Sequence, residues 1–182
     1  MAELDPTAAE VVNFWRESGP DKWFRKDDAF DAEFRDRFLD LHFAASRREL
    51  DHWADHPEGV LALMILLDQL PRNCFRGSGH MYATDPLARY FVRAALAAGH
   101  DQMVEEKLRL FFYLPLSHSE CLSDQHIAVE RNIPLGEEVL KHAVGHRDII
   151  QRFGHFPHRN RILGRQTKPD EQAFLDSGGF AG

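Results

Sequence analysis

Apolar residues recur along this chain every three or four positions, which is the spacing of one face of an α-helix. The clearest example is the series Phe30, Phe34, Phe38, Leu41 and Ala45. In contrast, no segment alternates apolar and polar residues for long enough to indicate a β-strand. The pattern therefore predicts an all-α protein.

Residues that start and end helices divide this pattern into separate elements. Asp5 is a typical N-cap before Pro6, and Gly19 is a typical end for the same helix. Asp85 and Gly99 bound another helix in the same way. Signals of this kind predict helices near 6–19, 27–50, 57–70, 85–99, 101–115, 118–131, 136–153 and 169–175, with a short helical turn after residue 157. Because short connections favour antiparallel neighbours, we expect an antiparallel array of about seven to nine helices in one domain over residues 1–182.

Polar residues gather where three of the predicted helices end. At each place a large hydrophobic residue and a proline are followed by a polar cluster. The clusters occupy segments 69–73, 113–120 and 155–160. Proline lacks an N–H donor and disfavours α geometry in the preceding residue, so we expect a helix to end at each one. Since the three helices should run in the same direction, we predict that Arg72, His118 and Arg159 surround one concavity.

The same motifs closely resemble those of the bacterial DUF924 family. They read Leu-Ala-Leu-Met-Ile-Leu-Leu-Asp-Gln-Leu-Pro-Arg-Asn at 61–73, Ala-Thr-Asp-Pro at 83–86, Phe-Tyr-Leu-Pro-Leu-Ser-His-Ser-Glu at 112–120, Arg-Phe-Gly-His-Phe-Pro-His-Arg-Asn at 152–160 and Leu-Gly-Arg at 163–165. The resemblance covers nearly the whole chain. It implies an all-helical fold of the tetratricopeptide-like (TPR-like) class and no established activity. Because the sequence has no 34-residue period, that likeness would be one of architecture.

The chain departs from the family pattern at two places. His155 stands where the pattern has Arg, which removes a permanent cation from that position. Thr167-Lys168 stands where the pattern has Ser-Thr before Pro169, and Lys168 is a poor N-cap for the last helix.

The formal charge of the chain is −7 at pH 7, which argues against nucleic acid as a general partner. The charge is unevenly spread, because residues 141–168 carry seven Lys and Arg against one acid. Cys74 and Cys121 form no CxxC pattern, so the sequence indicates neither a disulfide framework nor a zinc ribbon.

The sequence also predicts where the protein acts in the cell. Residues 1–5 are acidic and lack the basic and apolar regions of a signal peptide. The longest apolar run, residues 60–67, is too short to span a bilayer. We therefore expect a cytoplasmic protein without a membrane partner, and the oligomeric state stays open.

Two Arg-Asn pairs and a neighbouring histidine are the candidates for ligand binding. These residues are Arg72, Asn73, His158, Arg159 and Asn160. Guanidinium groups suit the bidentate capture of carboxylate or phosphate, so the leading hypothesis is a module that binds an anionic small molecule or a peptide carboxylate. The structural alternative is that the arginines complement helix C-termini and the asparagines cap turns.

Asp68 interrupts an otherwise apolar predicted helix, and a carboxylate at that depth needs a partner. Arg72, four residues later, is the nearest candidate. We therefore expect a buried ion pair between the two.

Histidines support a competing hypothesis, a hydrolase-type enzyme. In this hypothesis His118 is the general base, and Glu120 orients its imidazole. His142 and His146 lie four residues apart on one predicted helix, so they are secondary candidates for a divalent metal. No other cofactor is predicted. The third hypothesis is a structural adaptor whose polar clusters only join helices.

Overall fold

The computed structural model describes residues 2–180, and in this range every regular element is helical. The α-helices are α1 (Pro6–Ser18), α2 (Pro20–Trp23), α3 (Asp28–Ser46), α4 (Pro57–Met64), α5 (Leu70–Cys74), α6 (Asp85–Ala97), α7 (Glu106–Ser117), α8 (Leu122–Asn132), α9 (Glu137–Phe153) and α10 (Pro169–Asp176). Short 3-10 helices occupy Asp51–Asp55, Gly79–Tyr82, His100–Met103, Ile133–Leu135 and Pro157–Arg159. A π-helical turn, Ile65–Gln69, joins α4 to α5, so that residues 2–180 contain nine separate helices. The predicted all-α fold is confirmed.

Contacts between residues group the chain into two compact units. The first runs up to residue 76 and resumes over 80–115, and the second contains 77–79 and the described residues from 116 onward. The prediction of a single domain over 1–182 stays a prediction, as does the likeness to tetratricopeptide repeats.

Aromatic side chains fill the core of the first unit. Phe14 of α1 stacks with Phe30 and Phe34 of α3, with ring centroids 5.5 and 5.4 Å apart. Trp15 packs edge-on against Phe111 of α7 at 5.3 Å. The apolar face that the sequence predicts for α3 is therefore buried, as expected from its helical spacing.

The helix that begins at Pro57 does not end at Pro71, contrary to the prediction. α4 passes into the π turn, and α5 follows with Pro71 as its second residue. In the π turn the Leu70 N–H donates to the carbonyl of Ile65, one residue further back than in an α-helix. The wider turn accommodates the proline ring, which in a regular α-helix would meet the carbonyl of Leu67.

Side chains replace the backbone hydrogen bonds that the π turn and the proline remove. Three consecutive carbonyls accept from side-chain donors: Leu66 from His42 Nδ1 (2.9 Å), Leu67 from Thr84 Oγ1 (2.5 Å) and Asp68 from Arg72 Nη1 (2.9 Å). Two of these donors are distant in sequence, so no local pattern predicts that the helix continues here.

α7 also continues past its proline, Pro115, and ends at Ser117. The side-chain amide of Gln125 donates to the carbonyls of Ser117 and Ser119, both at 2.7 Å. The carbonyls beyond the proline therefore have a partner, and the predicted end at Pro115 is wrong by two residues.

The helix before the third proline, Pro157, ends where the sequence predicts. α9 ends at Phe153, where Gly154 adopts a left-handed φ of 75°. The 3-10 helix Pro157–Arg159 then forms the predicted short helical turn.

The sequence predicts that a helix starts at His118, and this start is wrong. α8 begins at Leu122, so His118 and Glu120 lie in the loop before it. Ser119 fixes this loop, because its hydroxyl donates to Asp124 Oδ2 at 2.7 Å.

Two further boundaries differ by a few residues. α3 ends at Ser46 instead of near residue 50, and Arg48 adopts a positive φ of 66° just after it. α7 begins at Glu106, because the 3-10 helix His100–Met103 occupies the predicted start. Within residues 2–180, no helix combines the length and the apolar character needed to cross a membrane.

Candidate functional site

The predicted site residues are divided between the two units. Arg72 and Asn73 belong to the first unit, whereas His118, His158 and Arg159 belong to the second. The predicted convergence of Arg72, His118 and Arg159 on one concavity stays a prediction.

Arg72 is held by carboxylates of the first unit. Its Nη1 lies 3.0 Å from Asp68 Oδ1 and 2.9 Å from Asp85 Oδ1, and its Nη2 donates to Asp85 Oδ2 at 3.0 Å. Burial opposes the charge, but Asp68 and Asp85 outweigh it and raise the pKa of Arg72. The expected buried pair of Asp68 and Arg72 is present, and the guanidinium ties the π turn to the start of α6.

Asn73 also serves a carboxylate. Its buried side-chain amide donates to Asp31 Oδ1 at 2.7 Å, and Arg76 Nη2 lies 3.2 Å from Asp31 Oδ2. Asn73 therefore joins α5 to α3 within the first unit.

In the second unit, Asn160 plays a comparable part. Its buried amide donates to Glu171 Oε2 at 2.8 Å, and the N–H of Lys168 donates to the same oxygen at 3.0 Å. His155 Nε2 lies 3.2 Å from Glu171 Oε1. The Lys168 N–H is the main cause that lowers the pKa of Glu171. Glu171 thus holds the first turn of α10 in place of the N-cap side chain that Lys168 does not provide.

Glu120 is paired with an arginine to which the sequence assigned no role. Arg165 donates to both carboxylate oxygens, at 2.7 and 3.0 Å, and Glu120 Oε1 also accepts from the N–H of Phe156 at 2.9 Å. Burial raises the pKa of Glu120, but Arg165 and the Phe156 N–H outweigh burial and lower it. The carboxylate is ionised and joins the loop before α8 to the segment after α9.

Imidazole rings and phenyl rings pack together in the second unit. His146 of α9 lies 6.2 Å from His118, 5.6 Å from Phe156 and 4.7 Å from Phe180, measured between ring centroids. His158 lies 5.6 Å from Phe156 and 5.1 Å from Phe180. We refer to His118, His146 and His158 as the histidine cluster.

The two imidazoles that face Phe156 and Phe180 are neutral at pH 7. Burial lowers the pKa of His146 to about 3, and the nearby His118 and Arg159 act in the same direction. Burial and Arg159 lower the pKa of His158 to about 4, although Glu120 partly opposes them. In the part of the chain that the structure describes, the Nδ1 atoms of His146 and His158 are buried and have no hydrogen-bond partner.

Arg159 places a buried positive charge next to these rings. Its side chain is 6% exposed, and its guanidinium carbon lies 4.4 Å from the centroid of Phe156. The aromatic face provides a favourable cation–π contact for the charge. The charge of Arg159 acts on both neutral imidazoles, and those of Arg165 and Glu120 act on His158.

His142 is exposed and lies one turn before His146 on α9. Among residues 2–180, no group of three His, Cys, Asp or Glu side chains is placed to hold a metal ion. Metal binding by His142 and His146 stays a prediction.

Sequence reasoning missed two members of this arrangement, Arg165 and Phe180. Arg165 ends the Leu-Gly-Arg motif at 163–165, but its partner Glu120 lies 45 residues away. Phe180 lies beyond the last helix, where no periodicity marks a residue as packed.

The comparisons with known proteins give a family and one solved structure. The model of the family described as bacterial protein of unknown function (DUF924) matches residues 11–179. The solved structure of a protein of unknown function from Agrobacterium tumefaciens is 61% identical to this chain, covers 94% of it and 97% of its own chain, and superposes with a TM-score of 0.92. No curated protein matches.

Proposed function

Because the chain belongs to the DUF924 family, whose description assigns no activity, we propose from its side chains that the second unit binds an anionic small molecule or a peptide carboxylate at the histidine cluster. The observation that carries the proposal is the pair of buried Nδ1 atoms of His146 and His158 without a partner. Buried polar atoms are nearly always hydrogen-bonded, so two such atoms, on imidazoles that pack against the same phenyl rings, call for an explanation. In the tautomer with the proton on Nδ1, each imidazole would donate to a ligand oxygen.

The positive charge of Arg159 beside the histidine cluster favours an anionic ligand. Arg159 lowers the pKa of both imidazoles, so it creates a positive potential at the rings. An anion in that potential would gain charge-assisted hydrogen bonds from the imidazoles and from the guanidinium. It would also raise the pKa of His146 and His158, so that its affinity increases as the pH falls toward their free values of about 3 and 4.

Four side chains of the second unit would contact the ligand: His118, His146, His158 and Arg159. Asn160 supports the site by holding Glu171, at 2.8 Å. In the first unit, Arg72 and Asn73 hold Asp68, Asp85 and Asp31, so we assign them to the support of helix junctions.

The hydrolase-type hypothesis has weaker support. Glu120, the expected partner of His118, is engaged by both Nη atoms of Arg165. Binding therefore accounts for the arrangement better than acid–base catalysis does.

The test is the effect of phosphate, sulfate and succinate on the Tm at constant ionic strength, with sodium chloride as the reference. Binding at a hundredfold excess over Kd stabilises the folded state by about 2.7 kcal/mol. We expect His158→Gln and Arg159→Ala to remove this stabilisation. The matched control is His142→Gln, which changes an exposed histidine of the same unit and should keep it.

Because Arg159 is buried, Arg159→Ala is accompanied by Arg159→Lys, which retains the charge but loses the fork geometry. Isothermal titration of folded His158→Gln with phosphate provides a direct measurement. A stabilisation that survives in His158→Gln and in the Arg159 variants would come from general salt exclusion. The structural adaptor would then be the better account.

A further inference from the structure

Phe180 covers the two imidazoles whose Nδ1 atoms have no partner. Its ring meets His146 at an interplanar angle of 89° and His158 at 83°, so both contacts are edge-to-face. Phe180 itself is 41% exposed. It therefore contacts both imidazoles and is open to solvent at the same time.

The chain reaches this position through a turn that two glycines make possible. After α10 ends, the N–H of Gly178 donates to Leu175 at 3.2 Å and that of Gly179 donates to Phe174 at 3.0 Å. Gly178 has a φ of 82°, a conformation that favours glycine. A Cβ on Gly179 would lie 2.6 Å from the ring of Phe174, so only glycine fits there without displacing the turn. The two glycines thus direct Phe180 onto the histidine cluster.

We propose that Phe180 is a displaceable lid that closes the histidine cluster, and that a ligand reaches the Nδ1 atoms only when this ring moves away. The proposal rests on the proposed function for the nature of the ligand. The lid itself rests on geometry, because the Nδ1 atoms are buried while Phe180, whose ring contacts both imidazoles, is partly exposed. Phe156, which also contacts both imidazoles, is fully buried, so that moving it would disturb the core of the unit.

A closed lid reduces the apparent affinity for a ligand, because only the open fraction of the protein binds. Removing the ring should therefore strengthen the binding of inorganic phosphate. The increase in affinity is roughly threefold to tenfold when the closed form outnumbers the open form by about the same ratio. Removing the ring should also let water reach the imidazoles, which raises the pKa of His146 and His158 by roughly one unit or more.

The experiment compares the wild-type protein with Phe180→Ala, which removes the ring, and Gly179→Ala, which displaces the turn. Leu163→Ala is the matched control, since Leu163 is another 41% exposed hydrophobic residue of the second unit. NMR titration of the imidazole Hε1 signals measures the two pKa values, and isothermal titration measures the affinity for phosphate. We expect both quantities to rise in Phe180→Ala and Gly179→Ala and to stay unchanged in Leu163→Ala.

The two readouts separate the lid from the ligand. Unchanged pKa values in Phe180→Ala would overturn the lid, whatever the protein binds. Weaker phosphate binding in Phe180→Ala would overturn it as well, because the ring would then be a ligand contact. Raised pKa values without phosphate binding in any variant would establish the lid and overturn the proposed anion instead.

Discussion

Acidification from pH 7 to pH 5 should destabilise the protein through His146 and His158. Their pKa values in the folded state are about 3 and about 4, compared with 6.5 for an ordinary histidine. As the pH falls through 6.5, the unfolded chain takes up a proton at each residue and the folded chain does not. Stability is therefore lost below pH 6.5, and the loss continues until the pH reaches the folded pKa values.

The size of the effect follows from these values. Between pH 7 and pH 5, each imidazole lowers the free energy of unfolding by about 2 kcal/mol, and the two together lower it by about 4 kcal/mol. Burial also lowers the pKa of His42, so this residue adds to the loss of stability. Carboxylates such as Glu120, with a lowered pKa, lose their contribution only as the pH falls below about 4.5, outside this interval.

The assay is urea unfolding at pH 7 and pH 5, in buffers without phosphate or carboxylate, so that ligand binding does not mask the effect. In His146→Gln and in His158→Gln, we expect the loss between the two pH values to be smaller than in the wild type by about 2 kcal/mol. His142→Gln, which changes an exposed residue of the same helix, should lose as much as the wild type. If His146→Gln and His158→Gln also lose as much as the wild type, the imidazoles are not shielded from water and the reasoning is wrong.

Two further predictions concern the first unit, both measured by urea unfolding at pH 7. Asp68→Asn should lower the free energy of unfolding by about 3 kcal/mol, because Arg72 loses one of its two carboxylates. An unchanged free energy would show that the pair is not needed. Glu49→Gln, which breaks an exposed ion pair, is the control and should have little effect. Thr84→Val should lower the free energy of unfolding by about 1–3 kcal/mol, because it leaves the buried carbonyl of Leu67 without its donor. No loss of stability would mean that the π turn does not need this bond.

Most of the fold follows from local sequence, because helices depend on residues close to one another. The series from Phe30 to Ala45 predicts α3, and Asp5 with Gly19 predicts both ends of α1. Pro71 misled the prediction for a physical reason. A proline interrupts a helix by removing a hydrogen bond, and here His42 and Thr84 supply replacements from 24 and 17 residues away.

The candidate site was less predictable than the helices. The polar clusters drew attention to His118 and His158, and the structure places both in one group of rings. The sequence does not tell which clustered residues already have partners. The carboxylate that holds Asn160 comes from α10, and the burial that lowers the pKa of His146 depends partly on Phe180.

The basic segment 141–168 does not make the second unit basic. From residue 116 to the end of the sequence, the chain carries eight Lys and Arg against nine Asp and Glu. Long-range attraction of anions therefore contributes little, and affinity has to come from short contacts with Arg159 and the imidazoles. Such contacts depend on where the ligand oxygens lie, so sulfate and succinate should differ from chloride at equal ionic strength. A ligand effect that followed ionic strength alone would contradict this argument.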